Sequence, residues 1–155
     1  MFKKILFISL FFISKISFAI SNEDNLEIQN KLENFNTNWN KNMCAGMAEL
    51  YSEKSDFINI YGNHFVGNLE IENRHTYIAQ NFLKDSIIKN DRVELKEITP
   101  DVIATYVNWT LTNYRQPGSD NTKPGETRSG IFTHIFHKEN GHWLISTTQN
   151  TIFPK

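Results

Sequence analysis

The stretch from Asp56 to His75, DFINIYGNHFVGNLEIENRH, divides the chain into a helical part before it and a mostly stranded part after it. Two short apolar runs, Phe57 to Tyr61 and His64 to Val66, flank Gly62-Asn63, a dipeptide suited to the positive φ angles of a two-residue hairpin turn. Phe57, Asn59 and Tyr61 then share one face of the first run, and Ile58 and Ile60 share the other. Asn68 is read as the cap of a helix reaching to about Lys84, with Glu70 and Glu72 in its first turn, where the helix dipole favours negative charge. Along that helix Ile71, His75, Ile78 and Phe82 recur at helical spacing, so an imidazole faces the interior in line with apolar side chains.

Upstream, Ile28, Leu32, Phe35 and Trp39 form one apolar stripe on a polar background, which predicts an amphipathic helix from Asn25 to Trp39. Asn40-Lys41-Asn42 breaks the pattern, and Asn42 is placed to cap a second, short helix whose buried side is Cys44, Met47, Ala48 and Tyr51. Cys44 is the only cysteine, so no intramolecular disulfide forms, and its place on that stripe marks it as a buried, inert thiol. Downstream, a weaker strand from Val93 to Ile98 ends at Thr99-Pro100-Asp101, and an alternating strand runs from Val102 to Tyr114. Gln116 to Glu126, with two Pro-Gly pairs among polar residues, reads as a surface loop. Thr127 to Lys138 and His142 to Ile152 are strands joined through Asn140-Gly141, again a hairpin signal. Three helices followed by an antiparallel meander predict an α+β domain in which a curved sheet folds over the helices and leaves a hollow between them.

The first 19 residues stand apart. Lys3 and Lys4 open the chain, Ile5 to Ile13 is apolar except for Ser9, and Ser17-Phe18-Ala19 presents small residues where a signal peptidase reads. Residues 1–19 are therefore read as a cleaved export signal, to the periplasm or beyond, and residues 20–155 as a single domain with no membrane span of its own. Removing that leader takes away Lys3, Lys4 and Lys15 but no carboxylate, so the remainder is more acidic than the whole chain, whose formal charge is −1. Such a balance argues against nucleic acid as a partner.

The sequence carries no Gly-x-Ser-x-Gly, P-loop, dinucleotide fingerprint or His-Glu-x-x-His motif. No cofactor and no metal are expected; His134 and His137 lie three apart on a strand, which sends them to opposite faces. His75 is the catalytic candidate, because an imidazole exchanges protons near neutral pH and burial tunes it further; the alternative is a structural histidine bonded to a backbone carbonyl. His64, at the hairpin's return, reaches either the same hollow or solvent. Asn59 and Tyr61 present an amide and a phenol that orient a ligand oxygen, or else a polar face turned to water. Trp39 and Trp109 are core, or stack on a planar ligand at the mouth of the hollow. Gln149, six residues after Trp143, is placed on the same strand face as Ile145 and Thr147, with its amide toward the hollow.

Taken together, Trp39-Asn40, Leu50-Tyr51, Asp56-Phe57-Ile58-Asn59-Ile60, Gly62, Gly67, Ile71, His75, Gly141-His142-Trp143-Leu144-Ile145 and Asn150-Thr151 resemble the SnoaL-like, SgcJ/EcaC-type branch of the nuclear transport factor two-like superfamily. The resemblance covers Leu26 to Thr151 and implies a cone-shaped, cystatin-like α+β fold that often dimerises through its sheet. It also implies a pocket, used in that superfamily by isomerases, cyclases and dehydratases and by proteins with no known reaction. Where members of the branch often carry a histidine before the closing Asn-Thr, this chain has Gln149, an amide that shuttles no proton. Three readings of function follow in order: a pocket for a small, partly apolar ligand, an acid–base enzyme with His75 as base, and a homodimeric interaction module of the cell envelope.

Overall fold

The computed structural model describes residues 20–83, 85–115 and 125–154. The leader and most of the Pro-Gly loop lie outside the described residues. The first helix, α1 (Asn22–Asn42), starts where the Ser21 hydroxyl accepts a hydrogen bond from the Asp24 amide, and it buries Ile28, Leu32 and Phe35, the stripe that its sequence period marks. It continues past Trp39 because Asn40, instead of breaking the helix, pairs with the sheet: its amide donates to the Ile88 carbonyl and accepts from the Ile88 N–H, at 2.9 and 2.8 Å.

The expected second helix is a four-residue 3-10 turn, Met47–Leu50. Met43, Cys44 and Gly46 all take positive φ, which no α-helix tolerates, and the turn's free amides at Gly46 and Ala48 both donate to the Glu72 carboxylate. Tyr51 therefore opens a strand, β1 (Tyr51–Ile58), that is longer than the sequence suggested. The link from β1 to β2 (His64–Val66) spans residues 59–63 and is not a two-residue turn. Asn59 organises it, its side-chain oxygen accepting from the Tyr61 and Asn63 amides, while Gly62 supplies the positive φ.

The second helix, α2 (Asn68–Asn81), is capped by Gly67 and not by Asn68, whose side chain instead donates to the Ala48 carbonyl. Strands β3 (Ile87–Thr99), β4 (Val102–Tyr114), β5 (Glu126–Glu139) and β6 (His142–Ile152) form the meander. The six-stranded sheet runs β2-β1-β6-β5-β4-β3, antiparallel except where β1 joins β6 in parallel. Asn140 and Gly141, both at positive φ, close the β5–β6 hairpin. The domain is α+β, as the sequence predicts, with two α-helices among the described residues in place of the three expected.

One face of the sheet carries Ile103, Val107, Trp109, Phe132, Phe136, Trp143 and Ile145 into a core shared with Ile28, Leu32, Phe35, Met47, Leu50 and Ile71. A bulge at Ser146 changes which residues of β6 reach that face. Phe136 pairs with Ile145 but Ile135 pairs with Thr147, so Ser146 is extra, and its hydroxyl donates to the Ile135 carbonyl. Beyond the bulge the alternation flips, turning Thr148 and Asn150 inward and Gln149 outward beside Ile58.

Candidate functional site

Between α2 and the sheet lies an open cavity of about 170 Å³. Its floor is the sheet, through Trp109, Phe132 and Asn150; Trp39 closes it from α1, and His75 and Ile78 from α2. The rim holds Asn59, Ile60 and Tyr61 from the β1–β2 link and Tyr114 and Arg115 from the end of β4. Gly130 makes room for the floor: a Cβ there would stand 2.5 Å from Trp109 Cζ2, so any larger residue would push the indole off the sheet. The indole N–H of Trp109 donates to Asn150 at 3.1 Å, which fixes the ring's orientation.

His75 is held on three sides. Its Nδ1 donates to the Ile71 carbonyl at 2.7 Å, one turn back on the same helix, which assigns the proton to Nδ1 and leaves Nε2 as an acceptor. Phe57 meets the ring edge-on at 4.5 Å and Trp39 at 6.2 Å. Burial drives its pKa below the usual histidine range, the Ile71 bond draws it partly back, and the nearby Arg74 charge lowers it further. The ring is neutral at pH 7, and Nε2 has no hydrogen-bond partner among the described residues.

Of the residues singled out in the sequence, Trp39, Asn59, Tyr61, His75 and Trp109 line this cavity. His64 and Gln149 do not. His64 stands exposed on β2 with Nε2 2.6 Å from Asp56, because the five-residue link directs it away from the hollow. Gln149 is turned to the opposite face by the Ser146 bulge, and Asn150 takes the inward position. Asn59 reaches the rim with its carbonyl already committed to turn amides. Tyr61 is largely exposed, its phenol 3.3 Å from that of Tyr114, whose pKa burial and this contact push up to about 12.

Sequence reasoning passed over Arg74, Tyr114, Arg115 and Asn150. Arg74 adjoins His75 on α2, and only the fold shows that a residue beside the apolar stripe also reaches the cavity. Among the described residues no set of three or more His, Cys, Asp or Glu side chains is gathered to hold a metal, and no helix is long and apolar enough to cross a membrane.

The architecture is that of the cystatin-like, nuclear transport factor two-like fold. An uncharacterised protein of this fold from Caulobacter vibrioides superposes with a TM-score of 0.77 at 23% identity, covering 85% of this chain and 91% of its own. A nuclear transport factor two-like superfamily protein from Salmonella enterica serovar Typhimurium gives 0.71 at 18% identity, covering 86% and 93%. A hexachlorocyclohexane dehydrochlorinase, LinA type 2, gives 0.72 at 11% identity, covering 86% and 90%. No protein-family model and no curated protein matches the chain. At these identities the likeness is one of fold.

Proposed function

We propose that this domain is an exported SnoaL-like protein that binds a small, partly apolar molecule between α2 and the sheet. The observation that carries this reading is the composition of the cavity: aromatic and aliphatic walls around one neutral imidazole whose Nε2 is available to accept a hydrogen bond. A cavity of about 150 Å³ with apolar walls admits a benzene-sized molecule, so 170 Å³ is matched to a body of one ring or a short chain.

A second reading, acid–base chemistry with His75 as base, is favoured by the fixed tautomer, since a neutral imidazole with Nδ1 anchored presents a basic Nε2 to a bound substrate. A protein of the same fold is a hexachlorocyclohexane dehydrochlorinase, so the fold accommodates reactions on small apolar molecules. The binding reading ranks first because the anchor on Nδ1 is a backbone carbonyl and not a carboxylate, and a carbonyl gives little stabilisation to an imidazolium formed during turnover. The third reading, pairing of two copies through the sheet face that carries Tyr106, Ile131, Ile135 and Leu144, rests on the family resemblance. These residues are half-buried and turned away from the helices.

Native mass spectrometry of protein purified from its own host tests these readings together. The expected species begins at Ile20, carries a small-molecule adduct, and is a dimer. Bare polypeptide without adduct removes the pocket reading, a monomer removes the pairing, and an intact chain beginning at Met1 removes export.

A further inference from the structure

The side chains that wall the cavity differ in the hydrogen-bonding capacity they have left. Both indole N–H groups are engaged, that of Trp39 with the Ser86 hydroxyl and that of Trp109 with the Asn150 side-chain oxygen. The Asn59 side-chain oxygen is taken by the Tyr61 and Asn63 amides, and at the rim the phenols of Tyr61 and Tyr114 meet at 3.3 Å. His75 Nε2 and Asn150 Nδ2, by contrast, have no partner among the described residues. Neither is sealed in. The hydroxyls of Ser55 and Thr105 are buried without a partner and out of reach, whereas these two nitrogens keep accessible surface on residues that line the cavity.

The fixed partners decide what each nitrogen offers. A carbonyl only accepts, so the bond to Ile71 holds the proton on Nδ1 of His75 and leaves Nε2 an acceptor with nothing to give. Burial keeps the ring from taking a second proton. An indole N–H only donates, so the oxygen of Asn150 faces Trp109 and its NH₂ is the free end. Asn150 Nδ2 donates to an alcohol oxygen as well as to a carbonyl and does not separate the two. His75 Nε2 does separate them: a hydroxyl gives it a hydrogen, whereas a carbonyl, an ether or an ionised carboxylate sets one lone pair against another. Between apolar walls that mismatch is costly, because the nitrogen loses its bond to water and receives none in return. A protonated amine would also donate, but no carboxylate belongs to the described lining, and an unpaired cation costs far more to desolvate than a hydroxyl.

Resting on the pocket reading above, we propose that the ligand is a neutral alcohol or phenol: a one-ring or short-chain apolar body that lies on Trp109 and Phe132 and whose hydroxyl donates to His75 Nε2. The apolar body displaces water from the aromatic floor, and the hydroxyl replaces the bond to water that Nε2 gives up. A carbonyl compound of the same shape achieves only the first of these. The proposal therefore fixes a preference between an alcohol and its oxidised counterpart.

The test is a calorimetric titration of protein purified from its own host and exhaustively dialysed, using benzyl alcohol and 1-phenylethanol beside benzaldehyde and acetophenone. Each pair shares a carbon skeleton and differs in whether its oxygen carries a hydrogen. The alcohols are expected to bind about fivefold or more tightly than the carbonyl compounds. His75→Leu, which keeps apolar bulk and removes the acceptor, should bring that ratio close to one while carbonyl binding persists. Equal binding by the unsubstituted protein, or tighter binding of the carbonyl compounds, would overturn the hydroxyl assignment and leave the pocket reading standing, whereas no binding of any of the four would overturn the pocket reading for bodies of this size. If His75 only braces α2 against Phe57 and Trp39, His75→Leu will lower the melting temperature and leave the ratio unchanged, which overturns the proposal. Nitrogen NMR of isotopically labelled histidine in the unsubstituted protein decides the matter even if that variant fails to fold. The Nε2 resonance of His75 should be that of an unprotonated nitrogen, should move as benzyl alcohol is added and should respond less to benzaldehyde. A proton on Nε2, or a resonance that the bound alcohol leaves in place, would overturn the proposal.

Discussion

Two histidines are buried in this domain, and they differ in what surrounds them. His134 is 1% exposed and His75 is 6% exposed, and burial holds both pKa values down. His134 Nδ1 lies 2.8 Å from the Thr148 hydroxyl, which is itself 3.0 Å from the Tyr51 phenol, and Phe35, Phe132 and Phe136 pack around the ring. His75 is tied to one backbone carbonyl and borders a cavity. The first is a polar link sealed inside the core, whereas the second offers a nitrogen to whatever enters. Burial and a displaced pKa are shared by both, so neither property alone marks a functional site; access does.

The strongest way to break that contrast is to delete each ring. His134→Ala removes a close-packed side chain and strips Thr148 of a partner, and should cost about 3 kcal/mol of stability. His75→Ala enlarges a space that already exists and should cost about half as much. Urea denaturation of both variants measures the difference. Equal losses would mean that His75 is as much a part of the core as His134.

Titration sharpens the same contrast. Burial pushes the pKa of His134 down to about 3, against 6.5 for a free imidazole. Between those values the unfolded chain binds a proton that the folded chain refuses, so the stability due to His134 is fully present above pH 6.5 and declines as pH falls toward 3. Each histidine kept neutral contributes a loss of about 1.4 kcal/mol per pH unit within its window. Asp24 has the same sign but acts lower: its bonds to Lys138 and Trp143 bring its pKa to about 2, so its contribution is lost only below the ordinary 3.8. Stability measured from pH 6.5 to 4.5 should therefore fall steeply, and His134→Gln should flatten the slope by about one proton. An unchanged slope would show that His134 is protonated without unfolding.

What the sequence revealed follows from the range of the interactions involved. The α1 stripe and the Asn140-Gly141 hairpin are set by residues near one another in the chain, and both were legible. The inward face of His75 was legible for the same reason, through its spacing from Ile71 and Ile78. The 3-10 turn was not, because Cys44, Met47, Ala48 and Tyr51 imitate a helical stripe while the chain is turned by positive φ at Met43, Cys44 and Gly46 and held by Glu72 from α2. Asn40, a helix breaker by composition, remains helical because Ile88 satisfies its amide. Gln149 and Asn150 exchanged roles through a bulge of one residue, which no local pattern announces. Arg74 needed the fold itself, since its cavity is assembled from α1, α2 and the sheet.

The smallest expected effect comes from a third histidine, which supplies the baseline for the other two. His64 forms a short contact with Asp56, but their side chains are 53% and 40% exposed, so water screens the pair and little is gained by holding it. It stands on β2, the edge strand, away from the cavity lining. His64→Ala should change stability by no more than about 0.5 kcal/mol. Binding of a one-ring, partly apolar probe such as benzyl alcohol by this variant should match that of the unsubstituted chain, whereas His75→Ala should weaken it. A loss of binding on replacing His64 would mean that the β1–β2 link swings inward when the cavity fills, and the line drawn here between histidines that meet the ligand and those that do not would have to move to include it.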